Sequence, residues 1–378
     1  MGNLLPVDYE TATLIGRADF GSGPTPIGVF GGVVKDLSRF APTVADILNL
    51  LEPGHAPDGP VIEEIALANL KPVWAGGDGR LLAPVDLQCI KAAGVTFAVS
   101  TLERVIEEAA RGDPRRATEI RGRISAKIGA DLHTVRPGSA RALKLREELI
   151  TEGLWSQYLE VAIGPDAEIF TKGPVLSAVG WGALAGIRSD SIWNNPEPEI
   201  VLVCDGRGRA RGAALGNDVN LRDFEGRSAL LLGKAKDNNA SCVIGPFIRL
   251  FDAGFSMDDV RKAVVSVEVE GDDGFVLRES SHMERISRDP DELIGQAYGA
   301  HHQYPDGFAL FCGTMFAPTQ GRGESGQGFT HHVGDIVRVS SPRLGQIENR
   351  IVHCEDAPRW TDGVGALMRN LARRGLLT

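Results

Sequence analysis

The sequence predicts an α+β protein in which a small N-terminal domain precedes a larger domain built mostly on antiparallel sheet. Residues 1–80 are rich in Gly and Pro and carry only short apolar runs. Two later stretches have the apolar spacing of amphipathic helices, and the chain beyond Gly173 consists of short β-rich runs separated by Gly, Asn and Asp. With 378 residues the chain is long enough for two domains, because domains usually contain roughly 100–200 residues.

Composition and charge exclude several classes of protein. The apolar fraction of 43% and the charged fraction of 24% are typical of a globular chain. The net charge is −10 and the basic residues are interspersed with acidic ones, so we expect no nucleic acid partner. No apolar run approaches the roughly 20 residues that span a bilayer, and residues 1–6 lack the basic and apolar regions of a signal peptide. We therefore expect a cytoplasmic protein without a membrane partner.

The N-terminal domain is expected to combine hairpins with one helix. The run Ile27–Val34 is interrupted by glycines and predicts strands joined by turns. Thr43–Leu51 predicts a helix that ends before Pro53. The Gly-rich stretch Ala75–Arg80 predicts a linker, which divides the chain into a small domain over 1–80 and a catalytic domain over 81–378.

The larger domain is expected to begin with helices and to continue as sheet. Leu102, Val105, Ile106 and Ala109 follow a helical period, and a second amphipathic stretch runs from Ala140 to about residue 154. The later apolar runs are short and bounded by turn residues, as in strands. The predicted strands are Glu199–Cys204, Ala213–Leu215, Val264–Val269, Gly274–Leu277, Asp335–Val339 and Ile347–Val352.

Three acidic residues are predicted to meet across one hairpin. Glu197 and Glu199 are two residues apart, so on a strand their side chains share a face at roughly 6–7 Å. The turn residues Asp205–Gly208 lie between two apolar runs and predict a hairpin. The midpoint between residues 199 and 218 falls at the end of that turn, so pairing is expected to bring Asp218 beside Glu199.

Carboxylates gathered in this way repel one another unless protons or a metal ion neutralise them. An all-oxygen set of ligands suits Mg²⁺, or alternatively Mn²⁺ or Ca²⁺, rather than zinc. The competing interpretation places Glu197 and Glu199 on the solvated face of an edge strand that Pro198 protects from pairing. An isolated Glu-x-Glu pair is more often of this second kind.

A resemblance to a known family favours the metal site. The chain resembles the fumarylacetoacetate hydrolase family over about residues 82–355. The residues that carry the resemblance are Glu197-Pro-Glu199, Gly216-Asn-Asp218, Arg222-Asp223, Lys236, Gly245-Pro246, Gly313-Thr314, Gly334-Asp335, Leu344-Gly345 and Glu348-Asn349.

The resemblance implies a fold, a ligand set and a substrate class. The implied fold is a mixed β-sandwich roll whose open end holds one divalent cation, in a homodimer or homotetramer. Glu197, Glu199 and Asp218 correspond to the metal ligands, and Lys236 corresponds to a lysine that enters the active site. The implied substrate is a 2-oxo acid that chelates the cation through its carboxylate and C2 carbonyl, so that the metal stabilises an enolate.

One segment argues against hydrolysis. Hydrolases of this family resemble one another in a Gly-x-Asn-Tyr-x-x-His-x-x-Glu segment, whereas this chain has Gly94-Val-Thr-Phe-Ala-Val-Ser100-Thr-Leu-Glu103. A serine hydroxyl cannot replace imidazole as a base near neutral pH, which favours a lyase. Ser100-x-x-Glu103 also fits a helix capping box, and for Glu103 a capping role and a catalytic role are compatible.

Two longer segments indicate the reaction. Tyr158–Pro174 and Gly233–Ala240 resemble the family's 2-dehydro-3-deoxy-D-pentonate dehydratases, which act on the 2-keto-3-deoxy derivatives of D-xylonate or D-arabinonate. This branch implies a metal-dependent dehydratase of pentose catabolism whose product is 2,5-dioxopentanoate. Glu168 and Lys236 are the candidate base and acid, in either order.

Further side chains are candidates for substrate contact. Lys172 lies four residues after Glu168, and on an extended strand the two would share a face and flank the substrate; the alternative for Lys172 is a surface charge. Thr314 follows a predicted strand and is expected to bind the substrate carboxylate, with Ser100 and Lys236 as further contacts. The adjacent pairs at 301–302 and 331–332 are histidines that we expect to be structural or at the surface, because neighbouring residues on a strand face opposite ways.

Two other functions are compatible with the same segments. The chain could be a C–C bond hydrolase of an acylpyruvate or a 2,4-dioxo-3-deoxy sugar acid, with Glu103 or a metal-bound water in place of the missing histidine. It could also be a metabolite-binding protein without activity. The second alternative is disfavoured because such a protein would lose its metal ligands, and all three acidic residues are present.

Overall fold

Two β-sheets form the body of the protein in a computed structural model that describes residues 4–52, 54–62, 67–122, 135–316, 320–322 and 328–377. The larger sheet has ten described strands: β1 (Thr13–Asp19), β2 (Pro24–Phe30), β3 (Val33–Asp36), β4 (Leu81–Leu82), β5 (Cys89–Gly94), β6 (Glu168–Gly173), β9 (Pro198–Cys204), β10 (Ala210–Asp218), β12 (Cys242–Leu250) and β15 (Phe308–Phe311). The smaller sheet has five: β7 (Leu184–Ile187), β13 (Val264–Glu270), β14 (Val276–His282), β16 (Ile336–Ser341) and β17 (Gly345–His353). A short pair is formed by β8 (Asn194–Asn195) and β11 (Asn220–Leu221).

Helices connect and cover these sheets. The α-helices are α1 (Val44–Leu50), α2 (Ala98–Ala110), α3 (described over 114–122), α4 (Ala140–Thr151), α5 (Gln157–Ile163), α6 (Arg222–Glu225), α7 (Leu232–Lys236), α8 (Met257–Arg261), α9 (Pro290–Ala297) and α10 (Val364–Arg373). Short 3₁₀ turns lie at Leu67–Asn69, Val73–Ala75, Ala229–Leu231 and Met283–Arg285. Within the described ranges, no helix has the length and apolar character needed to cross a bilayer.

Most strand pairs are antiparallel, as the sequence predicts. The larger sheet runs β3-β2-β1-β12-β10-β9-β15-β5-β6, with β4 paired to β1, and only its β15–β5 pair is parallel among the described pairs. The smaller sheet runs β14-β13-β16-β17-β7 and is antiparallel except for β17–β7. The α+β class with a mostly antiparallel core is therefore confirmed.

The main core lies between the two sheets. Ile200 and Leu202 of β9 belong to one buried apolar cluster with Val267 of β13 and Val339 of β16. The alternate residue Val201 of β9 faces the other side, where it joins a second buried cluster that includes α1. Strand β9 is buried along its whole length because both faces of the sheet are covered at this position. The strand that carries Glu199 is thus rigidly enclosed.

The N-terminal strands extend the larger sheet. Strand β1 pairs with β12, and β2 and β3 continue the sheet outward from it. The predicted N-terminal helix is confirmed as α1, whose N-cap Thr43 accepts a hydrogen bond from the backbone N of Asp46 at 3.0 Å. Pro53, predicted just beyond its end, lies outside the described residues. The domain boundary at residue 80 stays a prediction, but the strands on its two sides share one sheet.

Candidate active site and metal centre

The β9–β10 hairpin positions the acidic trio. Asp205 closes the turn by accepting hydrogen bonds from the backbone N of Arg207 and of Arg209, both at 3.0 Å. The pairing register then shifts at a bulge between Ala210 and Gly212. Because the turn is centred on Arg207, the backbone N of Asp218 still donates to the carbonyl oxygen of Glu197, at 3.0 Å. The predicted pairing of Asp218 with Glu199 is therefore wrong by two residues, although the side chains still converge.

The three carboxylates lie close enough together to hold one ion. Glu197, Glu199 and Asp218 each offer an oxygen within 4.8 Å of the others, and all three are buried. No other such group of three or more possible ligands occurs in the part of the chain that the structure describes. The solvated edge-strand interpretation is wrong, because β9 lies between β10 and β15 in the interior of the sheet.

Cations neutralise only part of this charge. Lys236 Nζ lies 2.5 Å from Glu197 Oε2 and 3.0 Å from Asp218 Oδ2, and Lys172 Nζ lies 2.7 Å from Asp218 Oδ1. Arg104 also pairs with Glu197. Glu199 instead accepts a hydrogen bond from the backbone N of Gly313 at 2.6 Å.

These partners shift the pKa values of Glu199 and Asp218 in opposite directions. Burial, followed by the charges of Asp218 and Glu197, raises the pKa of Glu199 well above its usual range. Burial acts in the same direction on Asp218, but Lys172 and Lys236 hold the pKa of Asp218 below its usual value. Glu199 is thus the carboxylate whose ionised form most needs a further positive charge.

The small cavity beside the trio has an excess of negative charge. It measures about 30 Å³, and its ionisable lining residues are Arg104, Glu168, Glu197, Glu199, Asp218, Glu225 and Lys236. With Lys172 behind Asp218, three cations face five carboxyl groups, so that two negative charges are uncompensated when all five are ionised. A divalent cation would balance them, and oxygen ligands are those that Mg²⁺ prefers. The residues present therefore fit the predicted magnesium site.

Glu168 lies against the backbone of the neighbouring strand. It is the first residue of β6 and pairs with Gly94, the last residue of β5. A Cβ atom on residue 94 would lie 1.9 Å from Glu168 Oε2, so the carboxylate occupies space that only glycine leaves free. Burial, and then the nearby Glu225, raises the pKa of Glu168 to about 7. A carboxyl group with this pKa can act as an acid or a base near neutral pH.

Lys236 is held in its protonated form. Burial alone would lower the pKa of its ammonium group, but Asp218, Glu197 and Glu225 raise that pKa above the usual value. An ammonium group with a raised pKa is a poor proton acceptor at neutral pH. Lys236 is therefore better suited to donating hydrogen bonds and supplying positive charge than to acting as the base.

Ser100 and Thr314 both line the cavity, as expected of substrate contacts. Ser100 Oγ donates to the carbonyl oxygen of Phe97 at 2.9 Å. The capping-box interpretation of Ser100 is wrong, because α2 begins at Ala98 and its N-cap is Phe97 without a side-chain cap. Thr314 Oγ1 accepts from the backbone N of Phe316 at 3.0 Å.

Glu103 and Lys172 lie behind the cavity and are absent from its described lining. Glu103 accepts hydrogen bonds from Arg121 at 2.7–3.0 Å and from Arg222 at 3.2 Å. Lys172 is fully buried, so its interpretation as a surface charge is wrong. It is the extra residue where the β5–β6 register shifts, and its ammonium group contacts Asp218 from outside the cavity.

The structure adds cavity residues that the sequence analysis did not identify. Arg104, Phe170 and Glu225 all line the cavity. Arg104 lies four residues after Ser100 on α2, so helical spacing could have placed both on one face. No comparable local signal exists for Glu225, because its direction depends on the short helix α6.

The histidine pairs contribute no metal ligand. His331 Nδ1 lies 3.2 Å from Asp335 Oδ2 in the interior, and His332 Nδ1 lies 3.4 Å from Asp273 Oδ2. His302 makes an edge contact with Tyr304. The prediction that these histidines are structural or at the surface is confirmed.

A larger cavity lies apart from this chemistry. It measures about 880 Å³ and is lined mainly by apolar groups, with Trp74 and Trp360 among them. None of the acidic trio lines it. Its size alone does not make it the reaction site, since its described lining contains none of the grouped carboxylates that could hold a cation.

Parts of the chain are similar in sequence to known proteins. Residues 205–352 match the family model described as fumarylacetoacetate (FAA) hydrolase C-terminal. A probable 2-keto-3-deoxyxylonate dehydratase from Haloferax volcanii is 28% identical over 194 residues, which is 51% of this chain and 63% of the relative. A 2-dehydro-3-deoxy-D-arabinonate dehydratase from Saccharolobus solfataricus is 31% identical over 184 residues, which is 48% of this chain and 57% of the relative. The matches span only about three-fifths of these relatives.

Solved structures resemble the chain over more of its length. The apo form of 2-keto-3-deoxy-D-arabinonate dehydratase matches with a TM-score of 0.64 and 18% identity, over 90% of this chain and 99% of that one. The same enzyme complexed with magnesium and 2,5-dioxopentanoate matches with a TM-score of 0.62 and 18% identity, over the same shares. A fumarylacetoacetate hydrolase from Exiguobacterium antarcticum matches with a TM-score of 0.55 and 15% identity, over 90% and 100%. These likenesses confirm the predicted fold.

Proposed function

We propose, from the premise that residues 205–352 belong to the fumarylacetoacetate hydrolase C-terminal family, that this chain is a Mg²⁺-dependent dehydratase. Its substrate would be 2-dehydro-3-deoxy-D-pentonate and its product 2,5-dioxopentanoate. The observation that carries the proposal is the buried acidic trio beside Glu168 in a cavity whose described lining includes no histidine. The trio supports binding of a 2-oxo acid through a cation, and the missing imidazole disfavours the activation of water.

The names of the two curated relatives support one substrate rather than two. D-Xylonate and D-arabinonate differ only at C2 and C3. Oxidation at C2 and loss of the C3 hydroxyl remove both stereocentres and leave the same compound, whose only remaining stereocentre is C4. The proposed specificity is therefore for the D configuration at C4.

The first half of the proposed reaction uses Glu168. A divalent cation held by Glu197, Glu199 and Asp218 would withdraw electrons from the C2 carbonyl and acidify the protons on C3. Glu168, as a carboxylate, removes one C3 proton. The electron pair forms the C3–C4 double bond as the C4 hydroxyl leaves, and protonated Glu168 returns its proton to that hydroxyl as water. The product of this half is 5-hydroxy-2-oxopent-3-enoate.

The remaining predicted site residues are assigned roles by their positions. Lys236 supplies positive charge beside Glu197 and Asp218, and Ser100 and Thr314 offer polar contacts to the substrate. Glu103 acts indirectly by holding Arg222, and Lys172 acts indirectly by holding Asp218. We also propose a cytoplasmic homodimer or homotetramer, whose mass light scattering would measure.

One assay tests the proposed function. The purified protein is incubated with Mg²⁺ and 2-dehydro-3-deoxy-D-pentonate, and 2,5-dioxopentanoate is identified by mass spectrometry. We expect the aldehyde to form, and we expect EDTA to prevent it. Failure to consume the deoxy acid, together with release of pyruvate from an acylpyruvate or a 2,4-dioxo-3-deoxy sugar acid, would identify the hydrolase instead.

A further inference from the structure

The proposed reaction needs a second set of proton transfers after water is lost, and the following inference rests on that proposed function. The enone 5-hydroxy-2-oxopent-3-enoate and the aldehyde 2,5-dioxopentanoate have the same atoms. One hydrogen must leave C5 and one must leave the C5 hydroxyl, while C3 and C4 each gain one. No oxidant, reductant or second water is involved, so the step needs only groups that accept and donate protons.

Glu225 is the cavity carboxylate that no other step uses. The acidic lining residues are the three predicted metal ligands, Glu168 and Glu225. Glu168 is assigned to the first half of the reaction, at C3 and C4. Lys236 is engaged with Glu197 and Asp218. Glu225 is therefore the carboxylate left for the C5 end of the substrate.

Few contacts in the described structure offset the free-energy cost of burying the Glu225 carboxylate. Its side chain is only 5% exposed, and Oε2 accepts no hydrogen bond of normal geometry from the residues that the structure describes. The nearest described cation is Arg104, whose Nη1 lies 3.1 Å from that oxygen. Burial raises the pKa of Glu225 although Arg104 and Lys236 act in the opposite direction. A buried carboxylate oxygen normally has a hydrogen-bond donor, and a substrate hydroxyl could supply one.

The short helix α6 holds Glu225 in place. Arg222, at the start of α6, donates to Glu107 Oε1 at 2.6 Å, and its guanidinium stacks on the ring of Trp193 at 4.2 Å from the centroid. At the other end of α6, the hydroxyl of Tyr158 donates to the carbonyl oxygen of Glu225 at 3.1 Å. These contacts fix the backbone on both sides of the carboxylate, as a proton carrier requires.

We propose that Glu225 moves the proton that converts the enone into the aldehyde. Its carboxylate takes a proton from C5, and the C5–H electron pair forms the C4–C5 double bond. The C3–C4 pair shifts to C2–C3, and the C2 oxygen takes up the negative charge as a dienolate. Protonated Glu225 delivers that proton to C3, which restores the C2 carbonyl and leaves an enol at C4–C5. The Glu225 carboxylate then takes the proton of the C5 hydroxyl and delivers it to C4, which gives the aldehyde.

Glu225→Gln tests this role, because it keeps the shape of the side chain but cannot carry a proton. With the Mg²⁺-loaded protein and the deoxy acid, we expect the substrate to lose water and the conjugated enone to accumulate. Aldehyde formation should fall by about 10²-fold or more, the usual contribution of a general acid–base group. The conjugated enone is followed by its ultraviolet absorbance and the aldehyde by NMR, so the two halves are measured separately.

Glu107→Gln is the matched control. Glu107 also pairs with Arg104 and is also buried, but it does not belong to the described cavity lining. If Glu225 only neutralises Arg104, both variants should give the same ratio of enone to aldehyde, and that result would overturn the proposal. The amide oxygen introduced by Glu107→Gln can still accept the hydrogen bond from Arg222 that holds α6. We therefore expect this variant to change the overall rate or the stability while leaving the product ratio at the wild-type value.

Two further outcomes are distinguishable. Should Glu225→Gln fail to fold, Glu225→Asp keeps the carboxyl group at a shorter reach. A raised ratio of enone to aldehyde in that variant supports the proposal, and an unchanged ratio overturns it. If the wild-type protein itself does not consume the deoxy acid, the proposed function fails rather than the role of Glu225 within it.

Discussion

Glu199 has the least favourable environment of the three predicted metal ligands. Glu197 and Asp218 have cationic partners, whereas Glu199 has one backbone hydrogen bond from Gly313. Its charge is opposed by burial and by two neighbouring carboxylates. The three residues are therefore expected to contribute differently to the free energy of unfolding and to metal binding. These two contributions can be measured separately.

Glu199→Gln should stabilise the metal-free protein and abolish stabilisation by Mg²⁺. Without metal the buried Glu199 carboxyl group must either stay ionised beside Asp218 and Glu197 or take up a proton, and both cost free energy. The amide avoids this cost, so the free energy of unfolding in EDTA should rise. At 100 times its Kd, Mg²⁺ should stabilise the wild type by about 2.7 kcal/mol and the variant by much less. Denaturant unfolding with and without Mg²⁺ measures both effects. Glu279→Gln is the matched control, because Glu279 is exposed on β14, and this variant should still be stabilised by Mg²⁺. Equal loss of Mg²⁺ stabilisation in both variants would contradict the assignment of Glu199 as a metal ligand.

Glu168 should give the reaction its dependence on pH. Burial and Glu225 raise its pKa to about 7, so kcat/KM should rise with pH through roughly one unit on either side of 7 as the carboxylate forms. The folded pKa also lies above the value of about 4.3 in an unfolded chain. The folded protein therefore binds the extra proton between these values, and its free energy of unfolding should fall as the pH rises through that window.

Glu168→Gln provides the comparison for both measurements. Its unfolding free energy should lose the part of the pH dependence that lies between about 4.3 and 7. Any residual activity should no longer rise through pH 7. A variant with the wild-type pH profile of kcat/KM would show that another group is the base, and the role of Glu168 would have to be given up.

At the scale of elements, the position of one turn and one bulge explain where the sequence analysis succeeded and failed. Spacing predicted the β9–β10 hairpin and the convergence of its carboxylates, but the turn is centred on Arg207 rather than between residues 208 and 209, so that Asp218 lies opposite Glu197. The bulge at Lys172 interrupts the strand alternation from which its position beside Glu168 was predicted. Bulges depend on how neighbouring strands pack, so strand periodicity alone cannot locate them.

Local sequence patterns also could not predict the contacts between segments that are distant along the chain. Strand β15 enters the sheet between β9 and β5, and the residues after it bring the backbone N of Gly313 to Glu199. Arg104 and Glu225 meet because α6 packs against α2. The family resemblance supplied the ligand set, but nothing in the order of residues along the chain marked these two as neighbours.

The pairing of β5 with β6 makes Gly94 a sensitive position. Alanine at 94 would place its Cβ 1.9 Å from Glu168 Oε2, so the carboxylate must move. Gly94 is not among the residues with a positive φ, so its backbone can accept alanine without strain. A displacement of this size should lower kcat on the order of 10²-fold with little change in the fold.

Gly295→Ala is the matched control for this substitution. A Cβ at Gly295 meets nothing within 4 Å, and the residue lies in helix α9, where alanine is favoured over glycine by about 1 kcal/mol. This variant should be at least as stable as the wild type and equally active. Gly94→Ala with wild-type kcat would mean that Glu168 tolerates displacement, which contradicts its assignment as the base.

Across the whole molecule, the sheet joins parts of the chain that composition separates. The Gly- and Pro-rich N-terminal region was predicted as a domain of its own, yet β1 pairs with β12, and Phe247 of β12 belongs to the same buried cluster as Leu14 and Val29. β12 also pairs with β10, which carries Asp218. The N-terminal strands thus support the sheet close to the predicted metal ligand Asp218, because only β12 lies between β1 and β10.

A truncated chain of residues 81–378 distinguishes an appended domain from an integral part of the fold. Without β1, the edge of β12 and the side chain of Phe247 would be exposed, and an unpaired apolar edge promotes aggregation. We expect the truncated protein to be aggregated by size-exclusion chromatography and to lack a cooperative unfolding transition by circular dichroism. Coexpression with residues 1–80 is the control, and should recover folded protein and Mg²⁺ binding because the missing strands can pair in trans. A truncated chain that is monodisperse, unfolds cooperatively and binds Mg²⁺ would show instead that the boundary at residue 80 separates two independent domains.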